Sequence, residues 1–169
     1  MKRTHAAAVL ALAVLAVTAL TGCFNGPGAA TYTQASMNSG NGIEARVGPV
    51  QVENATLVRG PEGSRSATLT TRIVNEGAGP DRLVYATING QPADITGGGT
   101  DLGPGASVSF GFDSDNWINA YAFDAPVSSY VPVELGFAES GLVSMQVLIV
   151  PPVGYYAGIA PNPATAPAA

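Results

Sequence analysis

Cys23 is the only cysteine of the 169-residue chain, and it closes the run Leu20-Thr21-Gly22-Cys23 behind an apolar stretch from Ala6 to Leu20. A thiol in that setting has one obvious chemistry, the acceptance of lipid. Met1 to His5, with Lys2 and Arg3, forms a basic segment that stays inside while the apolar stretch crosses the membrane during export. The small residue before the cysteine suits the signal peptidase, and the sulfur takes the diacylglycerol, so that Cys23 comes to carry several acyl chains, palmitate among them. A plain secretory signal leaves the position of the sole cysteine unexplained. A transmembrane helix needs about 20 apolar residues, more than this stretch supplies. The expectation is therefore a bacterial lipoprotein signal over residues 1–22, cleaved to leave Cys23 as the first residue of the mature chain. At about 0.8 kcal/mol per buried methylene, more than one acyl chain makes a stable anchor.

Cleavage at Cys23 also removes His5 and Lys2, the only histidine and the only lysine. Five arginines remain against twelve carboxylates, a formal charge of −7. Serine and cysteine nucleophiles need a base, and such a mature chain offers no histidine, no lysine and no free thiol, so triads and Ser-Lys dyads are excluded. Nucleic acid is excluded by the sparse, acidic charge set, because phosphate neutralisation needs clustered Lys and Arg. Docking on anionic lipid is excluded for the same reason, which leaves the lipid itself to hold the membrane. No intrachain disulfide can form from one cysteine.

Carboxylates are the remaining reactive groups. Asp113-Ser114-Asp115-Asn116, with Asp124 nearby, opens like a calcium loop, but Trp117 stands at the third ligand position and the closing glutamate is missing. Glycoside hydrolysis needs two carboxyls facing across a cleft, and solvated loop acids are the simpler reading here. Gly97-Gly98-Gly99 lacks the following helix that a phosphate cradle requires, and reads as a flexible loop. Asn54-Ala55-Thr56 matches a glycosylation sequon only at the level of chance. The suggestive surface is aromatic. Trp117, Ile118, Tyr121, Phe123 and Tyr130 lie among Asp, Asn, Ser and Pro between two strands. Aromatic side chains on a loop supply large, rigid contact area. Trp117, Tyr121, Phe123 and Tyr130 are accordingly the candidate partner-binding residues, with capping of the core as the competing role for Trp117 and Phe123.

The elements that must position them are strands. Residues 23–42 carry the lipidated cysteine and a Gly, Asn, Ser and Thr-rich tether too polar to bury. Val50, Val52 and Leu57 lie in an extended run whose alternation slips near Asn54, as a bulge would make it. Ala67 to Val74, Leu83 to Ile88, Val131 to Phe137 and Val143 to Ile149 alternate with period two. Val108, Phe110 and Phe112 continue the same spacing. Asn75-Glu76-Gly77 and Asn89-Gly90 are turns. Short strands with Gly and Pro between them predict an all-β, antiparallel β-sandwich of immunoglobulin-like type over residues 43–151. Residues 152–169 form a Pro/Ala-rich tail expected to be disordered, its last seven residues above all, in which Tyr155 and Tyr156 can pack back on the domain. Met145 shares its face with Val143 and Val147, which makes it a core residue rather than a ligand.

Val52-Glu53-Asn54-Ala55 with Arg59, Asn75-Glu76-Gly77, and Pro80-Asp81-Arg82-Leu83-Val84 together resemble the bacterial PCu(A)C-type copper chaperones. Leu102-Gly103-Pro104-Gly105 is similar to that family's Pro-Gly turn. Val131-Pro132-Val133-Glu134-Leu135-Gly136-Phe137 followed by Gly141-Leu142-Val143 is similar to its closing hairpin. The match runs in order over about residues 50–150, and within the family the chain looks most like small actinobacterial surface lipoproteins. The resemblance implies a cupredoxin-like β-sandwich. It also implies copper ligands, His and Met, after the second full strand pair and after the Pro-Gly turn. The corresponding stretches here, Asn89 to Ile95 and Ala106 to Phe110, hold neither residue type. Soft Cu(I) selects sulfur and imidazole, so the copper site is expected to be absent and no cofactor is expected.

The reading is a non-enzymatic binding or scaffold module, lipid-anchored on the extracytoplasmic face of the cell membrane and engaging an envelope protein or a cell-wall component. The alternative is metal delivery through weaker ligands, Met37, Asp94 or Asp101. Cys23→Ala tests the anchor: fractionation of cells should find the variant released from membranes, and undiminished membrane attachment would refute lipidation at this residue.

Overall fold

Alternation of apolar and polar residues with period two, broken by Gly, Pro and Asn, leaves the chain little choice but short strands. In the computed structural model, which describes His5 and residues 42–159, eleven strands follow one another. They are β1 (Ile43–Val47), β2 (Val50–Arg59), β3 (Ala67–Asn75), β4 (Asp81–Ile88), β5 (Gln91–Pro92) and β6 (Asp94–Ile95), then β7 (Thr100–Leu102), β8 (Ser107–Phe110), β9 (Ile118–Ala120), β10 (Tyr130–Phe137) and β11 (Gly141–Val150). The chain separates into Met1–Asn38 and Ser39–Ala169, and the strands all belong to the second unit.

One layer is built on β2 and β3, with β1 beside β2, then β8 and β9 beside β3, and β6 beside β9. The other layer centres on β10, flanked by β11 and β4, with β5 and β7 beside β4. Those pairings are all antiparallel. The layers join where Ile149 and Val150 of β11 pair in parallel with Leu57 and Val58 of β2. The result is a near-closed, mostly antiparallel β-sandwich of cupredoxin-like type. Its core lies between the layers, with Leu57, Leu69, Ile73, Leu83, Leu135 and Ile149 among its fully buried side chains. Each such side chain contributes about 1.5–3 kcal/mol by leaving water. Met145 is buried with them, as its parity requires.

The slip of alternation in β2 is a bulge. Register shifts between Glu53 and Thr56, and Asn54 takes a φ of 52°. Asn tolerates that left-handed conformation better than most residues. A second shift, between Gly136 and Phe137 of β10, leaves Val84 of β4 without a partner and turns both Val84 and Tyr85 to the outside. Asn89 (φ 54°) and Gly90 (φ 74°) both occupy the left-handed region, the geometry of the tight hairpin turn that Asn-Gly favours. After Gly97-Gly98-Gly99 the chain forms a strand that the sequence does not announce: Thr100, Asp101 and Leu102 pair as β7 with Leu83, Arg82 and Asp81. Leu102, fully buried, anchors them.

One end of the sandwich is fixed by two buried polar side chains. Asn75 Nδ2 donates to the carbonyls of Gly79 (2.8 Å) and Leu102 (3.0 Å), while its Oδ1 accepts from the Gly77 N–H (2.9 Å). Asp81 Oδ1 accepts from the N–H groups of Arg82 (2.7 Å) and Glu139 (3.0 Å). Asp81 Oδ2 accepts from the Ser140 N–H (3.1 Å) and the Ser140 hydroxyl (2.6 Å). Desolvation alone would raise the Asp81 pKa. The opposing hydrogen bonds, led by the Ser140 hydroxyl, outweigh it and hold the carboxyl below its ordinary value.

A carboxyl depressed in the folded state stabilises the protein above its unfolded pKa of about 3.9, and that contribution is lost as pH falls through the lower folded value. Asp81→Asn should therefore cost about 1–3 kcal/mol at neutral pH. Denaturant titrations from neutral pH down to acid should find the gap between variant and parent closing as the parent's carboxyl becomes protonated. A constant gap would refute the assigned role.

Candidate functional site

The aromatic surface is built by a reversal that strand parity alone does not foresee. Phe110 ends β8 inside the core. Gly111 follows with φ 80°, packed so closely over β3 that a Cβ would lie 2.9 Å from Thr70 Cγ2. Only glycine combines that backbone with that approach. The chain turns there, so Phe112 is 41% exposed instead of following Phe110 inward. Ser114 Oγ donates to the Ser109 carbonyl (2.7 Å) and accepts from the Asn116 N–H (3.0 Å), and the Gly111 N–H donates to the Asn116 carbonyl (2.8 Å). Trp117 is held in turn by Thr96: its N–H donates to Thr96 Oγ1 (2.6 Å) and its carbonyl accepts from the Thr96 N–H (3.0 Å). Its side chain is 45% exposed, while the next residue, Ile118, is fully buried in β9. Backbone bonds thus fix a loop that presents two aromatic rings.

The C-terminal segment completes the surface. After β11 the chain makes a short 3-10 turn at Gly154–Tyr156. Tyr155 stacks on Phe112 with ring centroids 4.4 Å apart and an interplanar angle of 20°. Tyr156 meets Tyr155 edge-on at 5.3 Å and 87°. In the segment Val153–Ile159, which falls in the tail expected to be disordered, Tyr155 packs on the domain through Phe112. Two clefts share Phe112 as a wall. One, of about 130 Å³, is lined by Asn54, Arg72, Ser109, Phe112, Tyr155 and Tyr156 among others. The other, of about 240 Å³, is lined by Gly111, Phe112, Asp113, Trp117 and Ala157 to Ile159.

The four candidate partner-binding residues do not form one patch. Trp117 lies in the second cleft. Tyr121 is half-buried, its hydroxyl accepting from Asn119 Nδ2 at 3.4 Å. Tyr130 is exposed but opens β10 opposite Leu148, in the other layer. Phe123 is 2% exposed and belongs to the core, with its N–H donating to the Arg65 carbonyl (2.9 Å). As a binding residue it is therefore corrected: its ring is spent on packing. Ile118 leaves the surface for the same reason. Phe112 and Tyr155 are the residues that sequence reasoning missed, and the signal for Phe112 was the glycine interrupting the strand.

Asp94 and Asp101, the weaker metal candidates, lie in different layers. Asp94 is exposed in β6 opposite Asn119. Asp101 in β7 faces Arg82, whose Nη1 donates to its carboxylate at 2.7 Å. Asp113, Asp115 and Asp124 are exposed. Among the described residues no group of three or more His, Cys, Asp or Glu is placed to hold a metal ion. Cys23 and Met37 lie outside the described residues.

No protein-family model matches the chain, and no curated protein does. Solved structures do. The chain is similar to the copper-bound PCuAC domain from PmoF2, with 21% identity, a TM-score of 0.59, and coverage of 65% of this chain and 99% of that one. The apo PCuAC domain from PmoF1 gives 22% identity, a TM-score of 0.59, and coverage of 65% and 100%. The apo PmoF2 domain gives 20%, 0.60, 66% and 98%. Over about two thirds of its length the chain thus has the PCuAC domain fold.

Substitution separates the exposed ring from the buried one. Trp117→Ala should leave stability within about 1 kcal/mol of the parent, whereas Phe123→Ala should cost about 3–5 kcal/mol. Urea unfolding of both variants checks this, and an unfolded Trp117 variant would return that residue to the core.

Proposed function

We propose that this chain is a non-enzymatic binding module of the bacterial cell envelope, held at the extracytoplasmic face of the cell membrane by lipid on Cys23. The PCuAC fold serves it as a scaffold, and the working surface is the aromatic one around Phe112 and Trp117. The observation that carries the reading is the pairing of exposed rings with a fixed backbone. A loop bonded through Ser109, Ser114, Asn116 and Thr96 presents Phe112 and Trp117 without ordering cost on association. The acidic composition supports a protein or neutral wall component as partner rather than a polyanion. Metal delivery has less to draw on, because the Asp101 carboxylate is already engaged by Arg82 and Asp94 stands in the other layer.

Site-specific photocrosslinking in native membranes tests the proposal. A photoreactive side chain at Trp117 should give a discrete adduct that Phe112→Ala removes, while the same group at Gln146, exposed on β11, should give none. Equal adducts from both positions would overturn the assigned surface.

A further inference from the structure

We infer that the C-terminal segment Val153–Ile159 is a detachable cover over the aromatic surface, so that the chain regulates access to its own binding site. The inference rests on the binding role just proposed and adds a regulator to it. The segment crosses the surface where the two clefts meet: Tyr155 lies flat on Phe112, and Ala157 to Ile159 form one side of the cleft that holds Trp117. Its attachment is slight. The backbone hydrogen bonds that it makes among the described residues run within it or to Pro151: Val153 N–H to the Pro151 carbonyl (2.9 Å), Tyr156 to Val153 (3.1 Å), Ala157 to Gly154 (3.1 Å) and Ile159 to Tyr156 (3.4 Å). None of its side chains is buried, and Tyr155 itself is 66% exposed.

The loop beneath is held quite differently, by hydrogen bonds that tie it to β8 and to Thr96. The two partners in the stack therefore differ in freedom: Phe112 sits on fixed backbone, and Tyr155 sits on a segment that can leave as a unit without breaking a ladder. A partner offering a flat aromatic or apolar face competes with Tyr155 for Phe112. The fraction of molecules with the cover displaced then scales the partner's apparent affinity.

Trp117 is the only tryptophan of the chain, so its fluorescence reads the cover with no partner present. In the full-length lipoprotein in detergent, Tyr155→Ala should shift the emission to longer wavelength. It should also raise the acrylamide quenching constant by up to about two-fold, since the indole is 45% exposed with the segment in place. Tyr155→Phe, which keeps the stacked ring, should quench like the parent. Thermal unfolding at the parent's midpoint shows that either variant is folded. A folded Tyr155→Ala protein with the parent's quenching and emission would overturn the cover. Crosslinking at Trp117 answers separately: an adduct present while quenching is unmoved keeps the binding surface and removes its regulator. Quenching that responds in a protein giving no adduct keeps the movable segment and removes the partner.

Discussion

The buried Asp81 carboxylate is the constraint on which one end of the sandwich depends. It begins β4, yet three of its four hydrogen bonds go to Glu139 and Ser140 in the turn between β10 and β11. A charge out of water is tolerable only when its lone pairs are satisfied, and here each oxygen accepts two donors. The same end holds Asn75, whose amide ties the β3–β4 connection to Leu102 in β7. Two side chains therefore lock the β3–β4 and β10–β11 connections and tie the first of them to β7. Surface ion pairs such as Arg46 with Glu76 (2.7 Å) add little by comparison, because water screens them.

With that end fixed, the register of the β10–β11 hairpin carries order to the other end. Glu134 faces Ser144, Val131 faces Val147 and Tyr130 faces Leu148. The chain therefore leaves β11 beside the beginning of β10, far from the clamped turn. Rigidity and freedom are thus placed at opposite ends of one hairpin. In the binding role proposed above, that asymmetry serves contact: a firm framework below, adaptable chain above. The fold shared with PCuAC domains supplies the framework, and in that proposed role the exposed aromatic residues of this chain supply the contact surface.

Much of this was legible in the residues. Long strands announced themselves by alternation, and the bulge at Asn54 by a lost phase. The tight hairpin at Asn89-Gly90 followed from a dipeptide that accepts positive φ at both positions. The two- and three-residue strands β5, β6, β7 and β9 were not legible, since so short a run has no period to detect. They exist because neighbouring strands supply partners and because Leu102 and Ile118 find the core. Parity misplaced Phe112, because one glycine's backbone overrules the pattern on either side of it. Phe123 and Trp117 looked alike in sequence. Only packing distinguishes a ring that fills the sandwich from one left on its rim.

The parallel contact between β2 and β11 has a consequence for biogenesis. Leu57 must wait for Ile149, 92 residues further along the chain, before the two layers can be sewn together. Closing so large a loop is entropically slow, and nothing gained early compensates for it. A polypeptide so arranged stays open until its last strand arrives, and its architecture sets the moment of completion.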